Sequence, residues 1–299
     1  MNEFLKTSNK KQYKPELTNS VKRIGSTISV NHFAPFIPLP ATILGTCTMI
    51  YFDVPTYIWL LNITFVCLGT FTSLFFLRNP ILPKKSNPFI VFVILIILLL
   101  GTFYDNGIMN VHRWINFGSL QLNIGLLVSP LMLIQISRIT NPKLAILFSA
   151  IATIIFFLQP DASLVSAFSV SIFVLLLRKF KAEVFTISYL LFTLFMVSYA
   201  WYNLDNLEPV SYVENIISLT KEISMALYLG SLISLLLLII PFIYYSKKDD
   251  LSISLGIYFL VLLLATLFGH FPVMLMGYGI SPIIGYFIGL IWQINTSKT

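Results

Sequence analysis

The sequence predicts an all-α, polytopic integral membrane protein of about ten transmembrane helices with both termini cytoplasmic. Three observations lead there. Hydrophobic residues make up 57% of the chain and charged residues 10%, with a mean hydropathy of +0.86, far from the balance of a soluble globular domain. Apolar runs of membrane-crossing length recur ten times along the chain. The basic residues then fall on one side of the membrane that these runs imply.

The runs are justified in order by what they connect. Residues 1–32 form a basic N-terminal tail with no apolar signal core or cleavage site, so the first run is expected to be a retained anchor. Run 33–52 carries the chain out to Asp53, 57–77 returns it to Arg78, and 88–104 leads out again to Asp105. Runs 119–136, 144–158 and 163–177 then reach Arg138, Asp161 and Arg178 in turn. Runs 184–202 and 223–245 lead out to Asp205 and back to Lys247; 251–271 and 273–292 complete the membrane domain, 33–292, before a cytoplasmic tail over 293–299. Two runs, the fifth and sixth, are short. The tenth holds Gly277, Gly279, Pro282, Gly285 and Gly289, so its outer part is expected to be irregular where other helices bury it.

With this topology 17 of the 19 basic residues are cytoplasmic, leaving Arg113 and Lys221 outside with Asp53, Asp105, Asp161, Asp205, Glu208, Glu214 and Glu222. The net charge of +7 is thus a signature of orientation and calls for no nucleic-acid partner. Cys47 and Cys67 lie inside apolar runs, where cysteine behaves as a small hydrophobe; they give neither a disulfide framework nor a metal spacing. There is no soluble domain, long linker or solenoid repeat.

Four external stretches carry the polar chemistry. In "NVHRWINFG", residues 110–118, Arg113 stands beside His112 and Trp114 at the mouth of the bundle. It is either an interfacial residue paired with Asp105 or a headgroup, with Trp114 as anchor, or a phosphate ligand for a lipid-linked substrate. In "FLQPDASL", Gln159, Pro160 and Asp161 link two runs with almost no loop. Asp161 is either the N-cap of the next helix or a substrate contact, since a carboxylate so close to hydrocarbon needs a partner. The loop "YNLDNLEPVSYVENIISLTKE" gathers four carboxylates, as a solvated surface or as the mount for a general base. Within it, 210–217 is expected to lie along the interface as a short amphipathic element. Finally, "FGHFPVMLMGYGISPIIG" breaks an apolar run at Gly277, Tyr278, Gly279 and Ser281, for close helix packing or for backbone approach to a ligand.

In order and sidedness these stretches resemble the SEDS family (shape, elongation, division and sporulation) of FtsW/RodA-type peptidoglycan glycosyltransferases, from the third run to the last. The family's G-A-R-R-W-I-x-L-G is similar to "NVHRWINFG", which keeps Arg113, Trp114, Ile115 and Gly118 and has His112 for the first arginine. Its following Q-P-S-E keeps Gln121 alone, with "LNI" in place of the rest. Its Q-P-D-L-G-T resembles Gln159, Pro160 and Asp161, and its L-P-F-x-S-Y-G-G-S-S resembles "VMLMGYGISP" with Tyr278, Gly279 and Ser281. Its L-P-E-x-x-T-D-F-I and paired glutamates align with "LEPVSYVENIISLTKE", placing Glu214 on the family's catalytic aspartate and Glu222 on the first glutamate. The chain is shorter than typical members and has trimmed external loops.

The resemblance implies polymerisation of lipid II, an undecaprenyl-pyrophosphate-linked substrate, into glycan strands at the outer face of the bacterial cytoplasmic membrane. Glu214 would be the catalytic base, with Arg113, Trp114, Gln159, Asp161, Tyr278 and Ser281 binding substrate. No metal ligand is assigned; a divalent cation, Mg or Mn, is the one cofactor the resemblance suggests. It further implies a class B penicillin-binding protein as partner and membrane lipids as surroundings. Two other readings stand beside it: a non-catalytic SEDS-like protein that binds lipid-linked precursor or scaffolds a cell-wall complex, and a secondary transporter. The latter calls for midplane ionisable residues and inverted repeats, neither of which is evident.

Overall fold

The computed structural model describes residues 32–79, 86–104, 107–118, 120–181, 184–245 and 249–296. The tail up to residue 31, together with Asp105, Lys84, Lys85, Lys247, Lys248 and Lys298, lies outside these. The helices are α1 (Pro38–Tyr51), α2 (Thr56–Arg78), α3 (Pro88–Gly101), α4 (Ile124–Arg138), α5 (Pro142–Leu158), α6 (Ala162–Phe180) and α7 (Val184–Tyr202). They continue as α8 (Ile216–Ile223), α9 (Met225–Leu237), α10 (Ile240–Tyr245), α11 (Asp250–Ala265) and α12 (Ile280–Thr296). Six helical stretches are long and apolar enough to cross a membrane: Ala34–Tyr51, Thr56–Arg78, Ala162–Phe180, Val184–Tyr202, Met225–Tyr244 and Asp250–Phe268. Four shorter apolar stretches make up the rest, Pro88–Tyr104, Ile124–Arg138 and Pro142–Leu158 between the second and third of these and Ile280–Thr296 after the last, so each of the ten expected runs contains a helix.

Several helices start where a polar residue accepts otherwise unpaired first-turn N–H groups. Asn87, Asn123, Asn141, Asp161, Ser224 and Asp249 cap α3, α4, α5, α6, α9 and α11 in this way, and Pro88 and Pro142 sit in the first turn, where no N–H is needed. Helices α6 and α11 pack closely on one another, while α12 packs on α2 and α4. These form the buried centre; α2, α3 and α7 present broad apolar faces outward, including Phe71, Ile97 and Phe195. Buried hydroxyls in the apolar interior bond back to the preceding turn, as Ser129 does to the Gly125 carbonyl (2.6 Å) and Ser166 to Ala162 (2.7 Å).

Three boundaries differ from the sequence reading. The fourth run begins at Ile124 rather than 119, because Trp114–Phe117 (β1) and Leu120–Asn123 (β2) pair as an antiparallel hairpin with Trp114 opposite Asn123. The amphipathic element falls at α8, later than 210–217, since Val210 to Glu214 is a turn bonded elsewhere. The last helix starts at Ile280, after an irregular stretch as expected, and continues beyond 292 to Thr296.

Candidate functional site

The hairpin fixes the position of Arg113. Its carbonyl accepts the Ile124 N–H at 3.0 Å, tying the strand entrance to the start of α4. The Arg113 side chain then turns inward and is buried, with its guanidinium carbon 5.9 Å from the half-buried Trp114 ring. Nε donates to the Gln159 carbonyl at 3.2 Å and lies 3.5 Å from the Asp161 carboxylate. Nη2 donates to the Pro160 carbonyl and to the Asp205 carboxylate. One cation thus joins the α5–α6 turn to the loop after α7.

Each carboxylate has a second function in the backbone. Asp161 Oδ1 accepts the Leu164 N–H (3.0 Å) and the Ser163 hydroxyl (2.7 Å), so it caps α6 while its other oxygen faces Arg113. The structure thus bears out the helix-capping reading of Asp161, and Arg113 is the partner its second oxygen finds. Asp205 Oδ1 accepts the Leu207 N–H at 3.0 Å, which turns the backbone locally at the start of the loop. Two carboxylates on one guanidinium leave the cluster with a net charge of −1, if all three are ionised. Gln159 is fully buried; its amide donates to the Thr102 hydroxyl at 2.8 Å, and its Oε1 has no hydrogen-bond partner among the described residues.

Glu214 sits in a tight turn where its Oε2 accepts the Val210 N–H at 2.7 Å. Burial pushes its carboxyl above the ordinary range; the Val210 bond and the Arg113 charge oppose that shift, and Asp205 adds to it. Glu214 therefore belongs electrostatically to the Arg113 cluster. Glu208 and Glu222 are exposed.

Tyr278 reaches the same region through the backbone. The Val273 N–H donates to Val213 O (3.0 Å) and the Tyr278 N–H to Tyr212 O (3.2 Å), so the irregular stretch 273–279 holds the residues just before Glu214. Gly277 is required for this approach, because a methyl there would lie 2.3 Å from the Val213 carbonyl oxygen. Ser281 is buried at the start of α12, and its hydroxyl has no hydrogen-bond partner among the described residues. Arg113, Asp161 and Gln159 are thus in direct contact, Glu214 is coupled to them by charge, and Tyr278 joins through Tyr212. Among the described residues no hydrogen bond or ion pair ties Trp114 or Ser281 to Glu214.

Asp205 and Asn62 were not singled out from the sequence. Asp205 was one of four equivalent-looking loop acids; its position directly after α7 was the available signal. Asn62 was the one side-chain amide in an apolar run that also holds Thr64, Thr70, Thr72 and Ser73. Among the described residues no three His, Cys, Asp or Glu side chains gather as a metal site, and Asp161 and Asp205 already face Arg113. These residues do not fit a divalent cation.

No protein-family profile and no curated protein sequence matches the chain. Solved structures do. Thermus thermophilus rod shape determining protein RodA is 15% identical, with a TM-score of 0.66 over 89% of this chain and 95% of that one. An aspartate-to-alanine mutant of the same protein is 16% identical, with a TM-score of 0.67 over 89% and 96%. A structure concerned with polymerization and crosslinking by a peptidoglycan synthase complex is 16% identical, with a TM-score of 0.63 over 87% and 96%. The chain has the fold of RodA, the SEDS architecture that the order and sidedness of its motifs predict.

Proposed function

We propose that the chain is a membrane glycosyltransferase that polymerises lipid II into glycan strands, with both termini cytoplasmic and the Arg113 end facing outward from the bacterial cytoplasmic membrane. A sugar hydroxyl of one lipid-linked substrate attacks the anomeric carbon of another and expels its lipid pyrophosphate. Glu214 accepts the hydroxyl proton as the new glycosidic bond forms. The observation that carries this reading is the partly buried Glu214, coupled to Arg113 and Asp205, at the end of a RodA-like bundle. Burial raises the proton affinity of this carboxylate, which suits a base working near neutral pH.

In this reading Arg113 orders the site and moderates its negative charge, since Asp161 and Asp205 already occupy Nε and Nη2. Asp161, Gln159, Trp114, Tyr278 and Ser281 line or support the sugar subsite. The peptidoglycan synthase complex among the similar structures supports a crosslinking partner of the class B penicillin-binding type.

The same occupied guanidinium favours a second reading, a SEDS-like protein that binds precursor or scaffolds a complex without polymerising. Incubating purified protein with lipid II and its cognate transpeptidase separates the two. Glycan that disappears in Glu214→Gln supports the enzyme; a wild type that makes none supports the scaffold.

A further inference from the structure

Asn62 is the polar residue that the sugar chemistry leaves unexplained. It lies in the second turn of α2, a helix otherwise apolar around it, and it is 2% exposed. Polar side chains at such positions are costly unless both ends of the amide are satisfied. Here both are: Nδ2 donates to Gly277 O at 2.9 Å, and Oδ1 accepts the Gly279 N–H at 3.2 Å. The side-chain amide therefore grips the backbone on either side of Tyr278.

That grip has a direct path to Glu214. Tyr278 N–H donates to Tyr212 O, and Val273 N–H, from the turn that ends in the Gly277 N–H to Val273 O bond (2.8 Å), donates to Val213 O. Residues 212 and 213 immediately precede Glu214. A second anchor steadies the stretch from α1: the Thr42 hydroxyl donates to Leu275 O at 3.0 Å, and Leu275 is held at a φ of +64°, a left-handed conformation that is strained for a residue with a Cβ. Backbone held so firmly has a use when something must be placed by it.

We propose that Asn62 is a positioning residue for Glu214, acting through the 273–279 stretch. The catalytic part of this role rests on the glycosyltransferase reading; the mechanical coupling does not. Asn62→Leu keeps the branched shape, with somewhat more bulk, and removes both hydrogen bonds. Amide hydrogen–deuterium exchange of the wild-type and variant proteins in nanodiscs should then speed up by about tenfold or more in peptides covering both 270–279 and 208–216. Thr70→Val is the control, since it deletes a buried bond from the same helix to Pro35 O and should leave 208–216 unchanged.

In lipid II polymerisation Asn62→Leu should lower kcat by about 10²-fold, the scale of a 1 Å misplacement, with KM changed by no more than about threefold. Should Asn62→Leu fail to fold, Asn62→Ala removes both hydrogen bonds without added bulk and should speed exchange in the same two peptides. Exchange that rises only in 270–279, or an unchanged kcat alongside faster exchange at 208–216, overturns the proposal. A wild type without polymerase activity removes the glycosyltransferase reading, and the exchange result still decides the coupling.

Discussion

Removing Arg113 should destabilise the protein more than most single substitutions. Arg113→Met keeps an unbranched chain of similar reach and deletes the charge, leaving Asp161 and Asp205 buried and facing one another. Their side chains are 4% and 11% exposed, and the guanidinium 7%, so solvent replaces the lost partner only in part. Breaking a buried ion pair by deleting one partner costs about 3–5 kcal/mol. The Gln159 and Pro160 carbonyls lose their donor as well, which keeps the expectation at the upper half of that range. For a domain of this size each kcal/mol lowers Tm by about 2–4 °C, so the expected drop is roughly 8–20 °C in nanodiscs, read by tryptophan fluorescence or differential scanning. Combining Arg113→Met with Asp205→Asn removes one stranded carboxylate and should recover roughly 0.5–3 kcal/mol relative to additivity. A single variant that melts within about 2 °C of wild type would refute the claim that this cluster ties the α5–α6 turn to the loop after α7.

Other expectations follow from the same geometry. Glu214→Gln should abolish lipid II polymerisation, while Glu214→Asp, whose carboxylate is about 1 Å short, should reduce it toward 10²-fold; activity that survives in the Gln variant removes Glu214 as the base. Because burial raises the Glu214 carboxyl, the acid limb of kcat/KM should lie above the ordinary carboxylate range, and Asp205→Asn should move it down by relieving repulsion. The stability sign runs opposite to that of an ion-paired acid: a carboxyl whose folded pKa exceeds its unfolded value loses stability as pH rises between the two, so Glu214→Gln should be as stable as wild type or more so at neutral pH and above. Gly277→Ala should displace the Glu214 turn, because its methyl meets the Val213 carbonyl oxygen at 2.3 Å, and should lower activity with little change in helix content by circular dichroism. Cysteines introduced in the α4–α5 turn at Asn141 and in the loop at Asn206 should label from opposite faces of the membrane; labelling from the same face overturns the proposed orientation.

The bundle was largely legible because its cause is one-dimensional: apolar length and charge sidedness are properties of segments, and each can be read without knowing the neighbours. The site was legible in part. Gln159, Pro160 and Asp161 are adjacent in the chain, and so is the Gly277–Tyr278–Gly279 break, so their local roles follow from local sequence. Which acid meets Arg113 was not legible, because Asp105, Asp161 and Asp205 are all plausible by side and only the fold brings Asp161 and Asp205 onto the guanidinium. The hairpin was missed because Ile115, Phe117, Leu120 and Leu122 blend into the apolar run that follows. Alternation over four residues per strand is too short to stand out against a span. Asn62 was missed for the reverse reason: its partners are backbone groups of glycines, which leave no trace of complementarity in the sequence.

The irregular stretch 273–279 also bears on how the chain is made. Its anchors at Thr42 and Asn62 lie 233 and 215 residues earlier in sequence than the groups they hold. At about 5–20 residues per second, ribosomes separate the synthesis of these partners by roughly 10–45 s. During that interval α1 and α2 are already in the lipid while the backbone that satisfies their polar groups does not yet exist. Asn62 must meanwhile borrow a partner from water, lipid headgroups or another helix. The Glu214 end of the bundle is therefore finished only when the last tenth of the chain arrives. A ribosome stalled before residue 273 would leave a membrane-inserted intermediate with nearly all its helices present and its Glu214 turn undocked, a form open to quality-control proteases.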